Sequence, residues 1–242
     1  MNKVEQALSG WKDWKILLIE EPKVVRELFG GLTNRSFLIE SGKHRMVIRI
    51  NNKDFKNLGI NRSQEIQILS LLHGLDFLPE ILFLNEDFLV SGYVEGYQWL
   101  ENDFHISSNK EKISKIIKKI HNVKLPQHVV KRNYLNYCYN YIQQLSPATI
   151  ALEGSLCSRL LEVAASIDKK VWTPVINHHD IIQGNVIEND SGLFLIDWEY
   201  AAFGHPGIDL ARLYGMSYKS PVVEKLVFLQ HGIDRLWALV KK

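Results

Sequence analysis

The amino-acid sequence predicts an α+β protein of two lobes, with an antiparallel-sheet lobe first and a mainly helical lobe second. Short segments rich in β-branched residues recur through the first 91 residues, with turn-forming residues between them. After residue 97, apolar residues recur at helical spacing instead. A chain of 242 residues is long enough for two small lobes. We therefore expect lobes at 1–91 and 97–242, with a hinge at 92–96.

The elements of the first lobe follow from alternating and helical patterns taken in order. The segment from Lys23 to Phe29 contains β-branched residues, which favour a strand. Two segments of alternating apolar and polar residues flank the turn Ser41-Gly-Lys-His44, as in a hairpin. The predicted elements are a leading helix at 2–19, strands at 23–29, 36–41 and 45–50, a helix at 57–73, and a further hairpin of strands at 81–84 and 87–90.

The second lobe is predicted from four helical segments around two short strands. The helices are expected at 108–123, 134–145, 153–167 and 222–240. The first has an isoleucine face and a lysine face, which we interpret as a buried and a solvated side. The tyrosines of 134–145 favour core packing, although such a cluster can also surround a cation.

Composition argues against several other classes of protein. Hydrophobic residues make up 46% and charged residues 23%, as in an ordinary globular domain. The formal net charge of +2 is too small to indicate a nucleic-acid or membrane partner. Cys138 and Cys157 provide no disulfide framework, and no apolar run has the length of a signal core or a membrane span. We therefore expect a cytoplasmic protein without either of those partners.

The most informative stretch places three polar side chains after two short apolar runs. The first run ends in His178-His179-Asp180, with Asn185 shortly after it, and the second ends at Asp197. Two carboxylates and an amide suit phosphoryl transfer, in which the protein mainly positions the reactants and neutralises charge. Asp180 can accept the proton of a hydroxyl group. Asn185 and Asp197 can hold Mg²⁺, which prefers oxygen ligands and binds beside substrate phosphates.

Two other interpretations of this stretch stay open at this point. An Asp shortly before a Gly can simply cap a turn. Alternatively, the His179-Asp180 doublet could bind metal in a phosphohydrolase, where it would normally lie on a helix. Pro174 and the β-branched residues around it favour a strand before the doublet, so we prefer phosphoryl transfer.

The pattern His178-x-Asp180-x-x-x-x-Asn185, followed by Ile196-Asp197-Trp198-Glu199, resembles the aminoglycoside phosphotransferase and choline kinase superfamily, which is related to the protein kinases. The resemblance covers roughly residues 30–211, and the run 195–201 looks most like bacterial thiamine and choline kinases. It implies a two-lobed protein-kinase-like fold. It also implies that Asp180 is the catalytic base, that Asn185 and Asp197 are the Mg²⁺ ligands, and that His178 and Asp209 support the catalytic loop.

The loop 30–34, Gly-Gly-Leu-Thr-Asn, resembles the nucleotide loop of choline kinase relatives and departs from the protein-kinase glycine pattern. Tandem glycines let a backbone approach phosphates closely, although between strands they are more often part of a plain hairpin. The resemblance assigns ATP phosphate contacts to Gly31, Thr33 and Asn34.

The remaining nucleotide contacts are also implied by the resemblance. Arg49 occupies the strand position of the phosphate-binding cation, where protein kinases have Lys, and Glu65 on the following helix would fix its aim. Backbone groups around Ser91 and Tyr93 would bind the adenine edge.

The expected activity is transfer of the ATP γ-phosphate, with Mg²⁺, to the hydroxyl of a small cationic alcohol. Thiamine is the first expectation for this acceptor, with choline or ethanolamine as the alternative, and a catalytically silent pseudokinase as a further one. Glu199 and Tyr200 are acceptor-pocket candidates by adjacency to Asp197. The segment 213–217 lacks the acidic residue that choline kinases tend to carry, which argues against choline.

Overall fold

A computed structural model describes residues 3–28, 33–52 and 58–241. Within these ranges, the first part of the chain forms a five-stranded antiparallel sheet in the order β1-β2-β3-β5-β4. Its strands are β1 (Lys23–Leu28), β2 (Arg35–Ser41), β3 (His44–Ile50), β4 (Ile81–Leu84) and β5 (Phe88–Gly92). The predicted hairpins are therefore present, with boundaries shifted by up to two residues.

One face of this sheet packs against the N-terminal segment. The leading helix α1 runs from Lys3 to Ser9, and a 3₁₀ turn at Trp11–Asp13 follows it. Ala7 and Trp14 pack with Ile39, Met46 and Ile48 of the sheet. The expected helix to residue 19 was too long, because the turn alone brings Trp14 onto the sheet.

The helix α2 (Arg62–Leu71) follows β3 in the chain and precedes β4. Asn61 caps it by accepting a hydrogen bond from the backbone N–H of Gln64. Its apolar face joins a buried cluster that includes Ile117, Leu195 and Trp198 from later elements. This shared core fixes α2 against the segments that carry the candidate site.

The later part of the chain is mainly helical, as predicted. Its helices are α3 (Glu101–His105), α4 (Ser107–His121), α5 (Tyr134–Ile142), α6 (Pro147–Asp168), α7 (Ile208–Tyr214) and α8 (Val223–Val240). Its strands are β6 (Tyr97–Gln98), β7 (Val175–Asn177), β8 (Val186–Asn189), β9 (Gly192–Leu195) and β10 (Ala202–Gly204). They form two small sheets, β10-β7 and β6-β8-β9. Among the described residues, no helix combines the length and the apolar character that a membrane crossing requires.

Two strands are followed by residues with an unusual backbone conformation. His179 follows β7 and Asp197 follows β9, with φ of 64° and 63°, and no other non-glycine residue in the described ranges has a positive φ. Such conformations cost of order 1–3 kcal/mol each and persist only where the surroundings impose them. The strain therefore lies at the two ends of the predicted catalytic motif.

Candidate active site

The loop that follows β7 is held by hydrogen bonds to the first turn of α7. Asp209, which is buried, accepts hydrogen bonds from the backbone N–H of His178 at 2.7 Å and of His179 at 2.9 Å. Burial raises the pKa of Asp209 to about 6, although these two N–H groups oppose the change. Asp209 thus supports the strained loop through its backbone.

His178 links the two halves of the motif. Its Nδ1 accepts from the backbone N–H of Asp180 at 3.3 Å, so the ring proton lies on Nε2, which donates to the carbonyl of Ile196 at 3.0 Å. Burial lowers the pKa of His178 to about 4, so the ring is neutral. The ring also lies against Trp198, with centroids 4.6 Å apart. His178 therefore fixes the loop relative to the Asp197 segment and does not itself transfer a proton.

Asp180 and Asn185 form one unit. The Nδ2 group of Asn185 donates to both the backbone carbonyl and the Oδ2 atom of Asp180, each at 2.9 Å. Burial raises the pKa of Asp180, whereas the cation of Arg212 lowers it. Because the amide nitrogen of Asn185 is used by Asp180, its Oδ1 atom is left as an acceptor or metal ligand.

Asp197 has the character of a metal ligand. Its Oδ1 atom is buried without a hydrogen bond and lies 3.5 Å from Nη1 of Arg49. Burial and the charge of Glu199 raise the pKa of Asp197, whereas Arg49 lowers it. A buried carboxylate oxygen without a donor fits a cation.

The donor set of Asp197 and Asn185 also fits Mg²⁺ in particular. In the described part of the chain, no cluster of three or more His, Cys, Asp or Glu side chains could hold a metal alone. Two protein oxygens, completed by substrate phosphates and water, are the usual arrangement for Mg²⁺.

The sheet contributes the predicted Arg49–Glu65 pair. Nη2 of Arg49 donates to Oε1 of Glu65 at 2.7 Å, and its Nε donates to Asn51 Oδ1 at 3.0 Å. Burial alone would raise the pKa of Glu65, but Arg49 and Arg62 hold it below the usual value. Both partners are therefore charged, and Arg49 is directed at Asp197.

Thr33 and Asn34 do not present free side chains to a phosphate, contrary to expectation. The Thr33 hydroxyl donates to Oε1 of Glu199, and Nδ2 of Asn34 donates to Oε2 at 2.6 Å. Glu199 is buried, so these donors satisfy a charge that would otherwise be costly. The predicted contact at Gly31 lies outside the described residues.

The backbone near Ser91 and Tyr93 is also used differently from the expectation. Ser91 lies inside β5, paired with strands on both sides. The backbone N–H of Tyr93 donates to the carbonyl of Arg45 at 3.0 Å. The sheet therefore occupies this donor. Within the described ranges, Val94 is the next residue, and its N–H makes no hydrogen bond.

A cavity of about 330 Å³ adjoins Asp180, Asn185 and Asp197. Its far wall comes from the helices α5, α7 and α8. Four aromatic residues line it, namely Tyr137, Tyr141, Tyr200 and Trp237. Its charged lining residues are Asp180, Asp197, Glu199 and Asp234, with Arg132 and Arg212. The expected candidates Glu199 and Tyr200 both line this cavity.

Sequence reasoning missed the contribution of the last two helices to this wall. Arg212 of α7 pairs with Asp234 of α8 at 2.7 Å, and the indole N–H of Trp237 donates to the Tyr200 hydroxyl at 2.8 Å. Asp234 and Trp237 are three residues apart and so share one face of α8. This spacing was the signal in the sequence from which their shared position could have been predicted. Tyr141 of α5 is buried, as expected for core packing, and it also lines the cavity.

The segments that carry Asp180, Asn185 and Asp197 lie beside a buried Arg–Glu pair of the sheet and a cavity lined by helices. This arrangement defines a small-molecule phosphotransferase of the kinase-like class.

The comparisons identify the family. The choline/ethanolamine kinase family model matches residues 25–220, which is most of the chain, and the chain belongs to this family.

One relative is a LicA homolog from Mycoplasma capricolum, 27% identical over 201 residues that cover 82% of this chain and 75% of the relative. Among solved structures, LicA in complex with AMP has a TM-score of 0.76 at 23% identity, covering 98% of this chain and 88% of that one. Choline kinase LicA from Streptococcus pneumoniae has a TM-score of 0.71 at 22% identity, with 98% and 89% covered. The predicted kinase-like fold is thereby confirmed.

Proposed function

We propose that this protein transfers the γ-phosphoryl group of ATP to the hydroxyl of choline, with ethanolamine as a second acceptor. The observation that supports this most is the cavity with aromatic and acidic walls that has Asp180 in its lining. A quaternary ammonium group cannot donate hydrogen bonds, so aromatic faces and carboxylates are the groups that recognise it.

The acceptor is the point at which the sequence expectation changes. Thiamine was the first expectation, but the family match and the LicA relatives favour the choline or ethanolamine alternative. The objection to choline was the lack of an acidic residue in 213–217. Asp234 on α8 offsets it, because this residue places a carboxylate in the lining of the cavity.

ATP is proposed to lie between a lobe of residues 1–91 and a lobe of residues 97–242, with 92–96 as the hinge. The large sheet ends at Gly92 and β6 begins at Tyr97, which supports this division. Arg49 would bind the phosphates, since Glu65 fixes its direction. The adenine edge would meet the backbone of Val94, in place of Ser91 and Tyr93.

In the proposed reaction, Asp180 aligns the acceptor hydroxyl and takes its proton as the oxygen attacks the γ-phosphorus. Asn185 fixes Oδ2 of Asp180, which leaves Oδ1 for the hydroxyl. Oδ1 of Asn185 and Asp197 would hold Mg²⁺, which neutralises charge on the phosphate oxygens when it is bound. Arg49 contributes a fixed positive charge on the same side.

The test is ATP consumption by the purified protein with Mg²⁺ and one acceptor at a time: choline, ethanolamine, thiamine or an aminoglycoside. The proposal predicts the highest kcat/KM for choline and the next for ethanolamine. A higher value for thiamine would restore the first expectation, and no consumption with any acceptor would favour the pseudokinase.

A further inference from the structure

Arg62 is a buried cation that none of the roles above uses. It is the first residue of α2, and its side chain is 1% exposed. Burying a charge is costly unless it is paired and hydrogen-bonded, so a fully buried arginine must have well-placed partners.

Its partners come from three different segments. Nη1 donates to Oε2 of Glu65 at 2.7 Å, on the same helix. Nη2 donates to Oε2 of Glu199 at 3.0 Å and to Oδ1 of Asn34 at 2.8 Å. A planar guanidinium group can reach such partners at once, whereas the point charge of a lysine cannot.

These contacts connect Arg62 to the phosphate-binding arginine. The two carboxylate oxygens of Glu65 are divided, with Oε1 bound to Arg49 and Oε2 bound to Arg62. Glu65 is thereby held from both sides. The result is a continuous buried series of alternating charges: Arg49, Glu65, Arg62 and Glu199.

The same series reaches the catalytic segment, because Glu199 lies two residues after Asp197. Glu199 also accepts hydrogen bonds from Thr33 and Asn34, which are the last two residues of the loop 30–34. The side chain of Arg62 therefore fixes three parts of the site relative to one another: the direction of Arg49, the end of the loop 30–34 and the Asp197 segment.

We propose that Arg62 is a positioning residue for the nucleotide, which sets the aim of Arg49 through Glu65 and holds the loop at 33–34 onto the catalytic segment through Glu199. This inference rests on the part of the proposed function in which ATP phosphates bind beside Arg49. It does not depend on the identity of the acceptor.

The test measures the Kd of a non-hydrolysable ATP analogue with Mg²⁺ by calorimetry, for Arg62→Met, Arg62→Lys and the control Arg35→Met. Arg35 is an exposed arginine of the same lobe, paired with Glu27. We expect Kd to rise at least tenfold for Arg62→Met, to rise severalfold for Arg62→Lys, and to stay within about twofold of wild type for Arg35→Met, as expected of a surface pair.

A second measurement separates positioning from general support of the fold. If Arg62 acts mainly by aiming Arg49, then Arg62→Met raises the Kd by a smaller factor in an Arg49→Met background than in the wild-type protein. Equal fold-changes in both backgrounds, or an Arg62→Met protein that binds as tightly as Arg35→Met, would overturn the proposal. If circular dichroism shows that Arg62→Met does not fold, Arg62→Lys decides by the same criteria.

The outcome is separable from that of the proposed function. A wild-type protein that binds the analogue but does not phosphorylate choline contradicts the acceptor alone. Tight binding by wild type and by both Arg62 variants contradicts the role of Arg62 alone. A wild-type protein that binds no nucleotide contradicts both.

Discussion

The two sides of the candidate site consist of different kinds of side chain. On the proposed nucleotide side, Arg49, Glu65, Arg62 and Glu199 are buried and satisfy one another's charges. On the acceptor side, aromatic rings from separate helices surround a cavity whose lining includes the half-exposed Asp234. A cross-linked set of charges holds a cation in one direction, as a polyphosphate requires. A cavity of rings and carboxylates instead suits a compact cation that offers few hydrogen bonds.

The largest effect is expected where the two sides meet, at Asp180. We expect Asp180→Asn to lower kcat by about 10²–10⁴-fold, because the hydroxyl loses its proton acceptor. The KM for ATP should change little, since the nucleotide side is intact. Steady-state rates with ATP and choline provide the measurement. Asp190→Asn, in the exposed turn between β8 and β9, is the control and should be as active as wild type.

The nucleotide side should be sensitive to the loss of one carboxylate. Glu65→Gln leaves Arg49 and Arg62 buried without their shared anion, which costs about 3–5 kcal/mol in the free energy of unfolding. Urea unfolding measures this, with Glu27→Gln in an exposed pair as a control that should change little.

The contribution of Glu65 should also depend on pH. Its pKa in the folded protein is below the ordinary value, so its stabilisation is present above that ordinary value and is lost as pH falls through the folded pKa. The gap between wild type and Glu65→Gln should narrow in acid. A difference in the free energy of unfolding that stays constant across this pH range would contradict the conclusion that Glu65 is charged.

The acceptor side should respond to the loss of one ring. Trp237→Leu removes an aromatic face and the hydrogen bond that holds Tyr200, so the KM for choline should rise about tenfold, within the usual range for a desolvated cation–π contact. The KM for ATP should not change. Trp11→Leu in the N-terminal segment is the matched control. Parallel increases in both KM values would show that the two sides are not separate.

The smallest expected effect is on the pH profile. Burial raises the pKa of Asp180 and the cation of Arg212 lowers it, so the acid limb of kcat/KM should lie above the ordinary Asp value. In Arg212→Met this cation is gone, the carboxyl binds its proton more readily, and the limb should move to higher pH. A movement to lower pH would contradict this electrostatic account.

The same contrast explains what could be predicted from sequence. Asp180, Asn185 and Asp197 lie within 20 residues of one another in the chain, so a local pattern was enough to predict that they share one site, and all three line the same cavity. The Arg49–Glu65 pair was also predictable, because the resemblance pairs the cation of this strand with the glutamate of the following helix.

Some groups that were expected to contact the nucleotide make hydrogen bonds within the protein instead, for physical reasons. Thr33 and Asn34 were expected at phosphates, but Glu199 is buried nearby and needs donors, which no linear pattern reveals. The N–H of Tyr93 was expected at adenine, but strand pairing extends two residues beyond the predicted end at residue 90, and this N–H donates to the carbonyl of Arg45. The wall formed by Arg212, Asp234 and Trp237 depends on how α7 packs on α8, which is a tertiary property.

The central claim is that the aromatic and acidic cavity beside Asp180 selects a quaternary ammonium alcohol for phosphorylation. A single competition reaction tests it, with ATP, Mg²⁺ and equal concentrations of choline, ethanolamine and thiamine, and with the phosphate monoesters identified by mass spectrometry. Our account predicts that phosphocholine forms first, with phosphoethanolamine behind it. Faster formation of thiamine phosphate, or no monoester at all, would contradict the account.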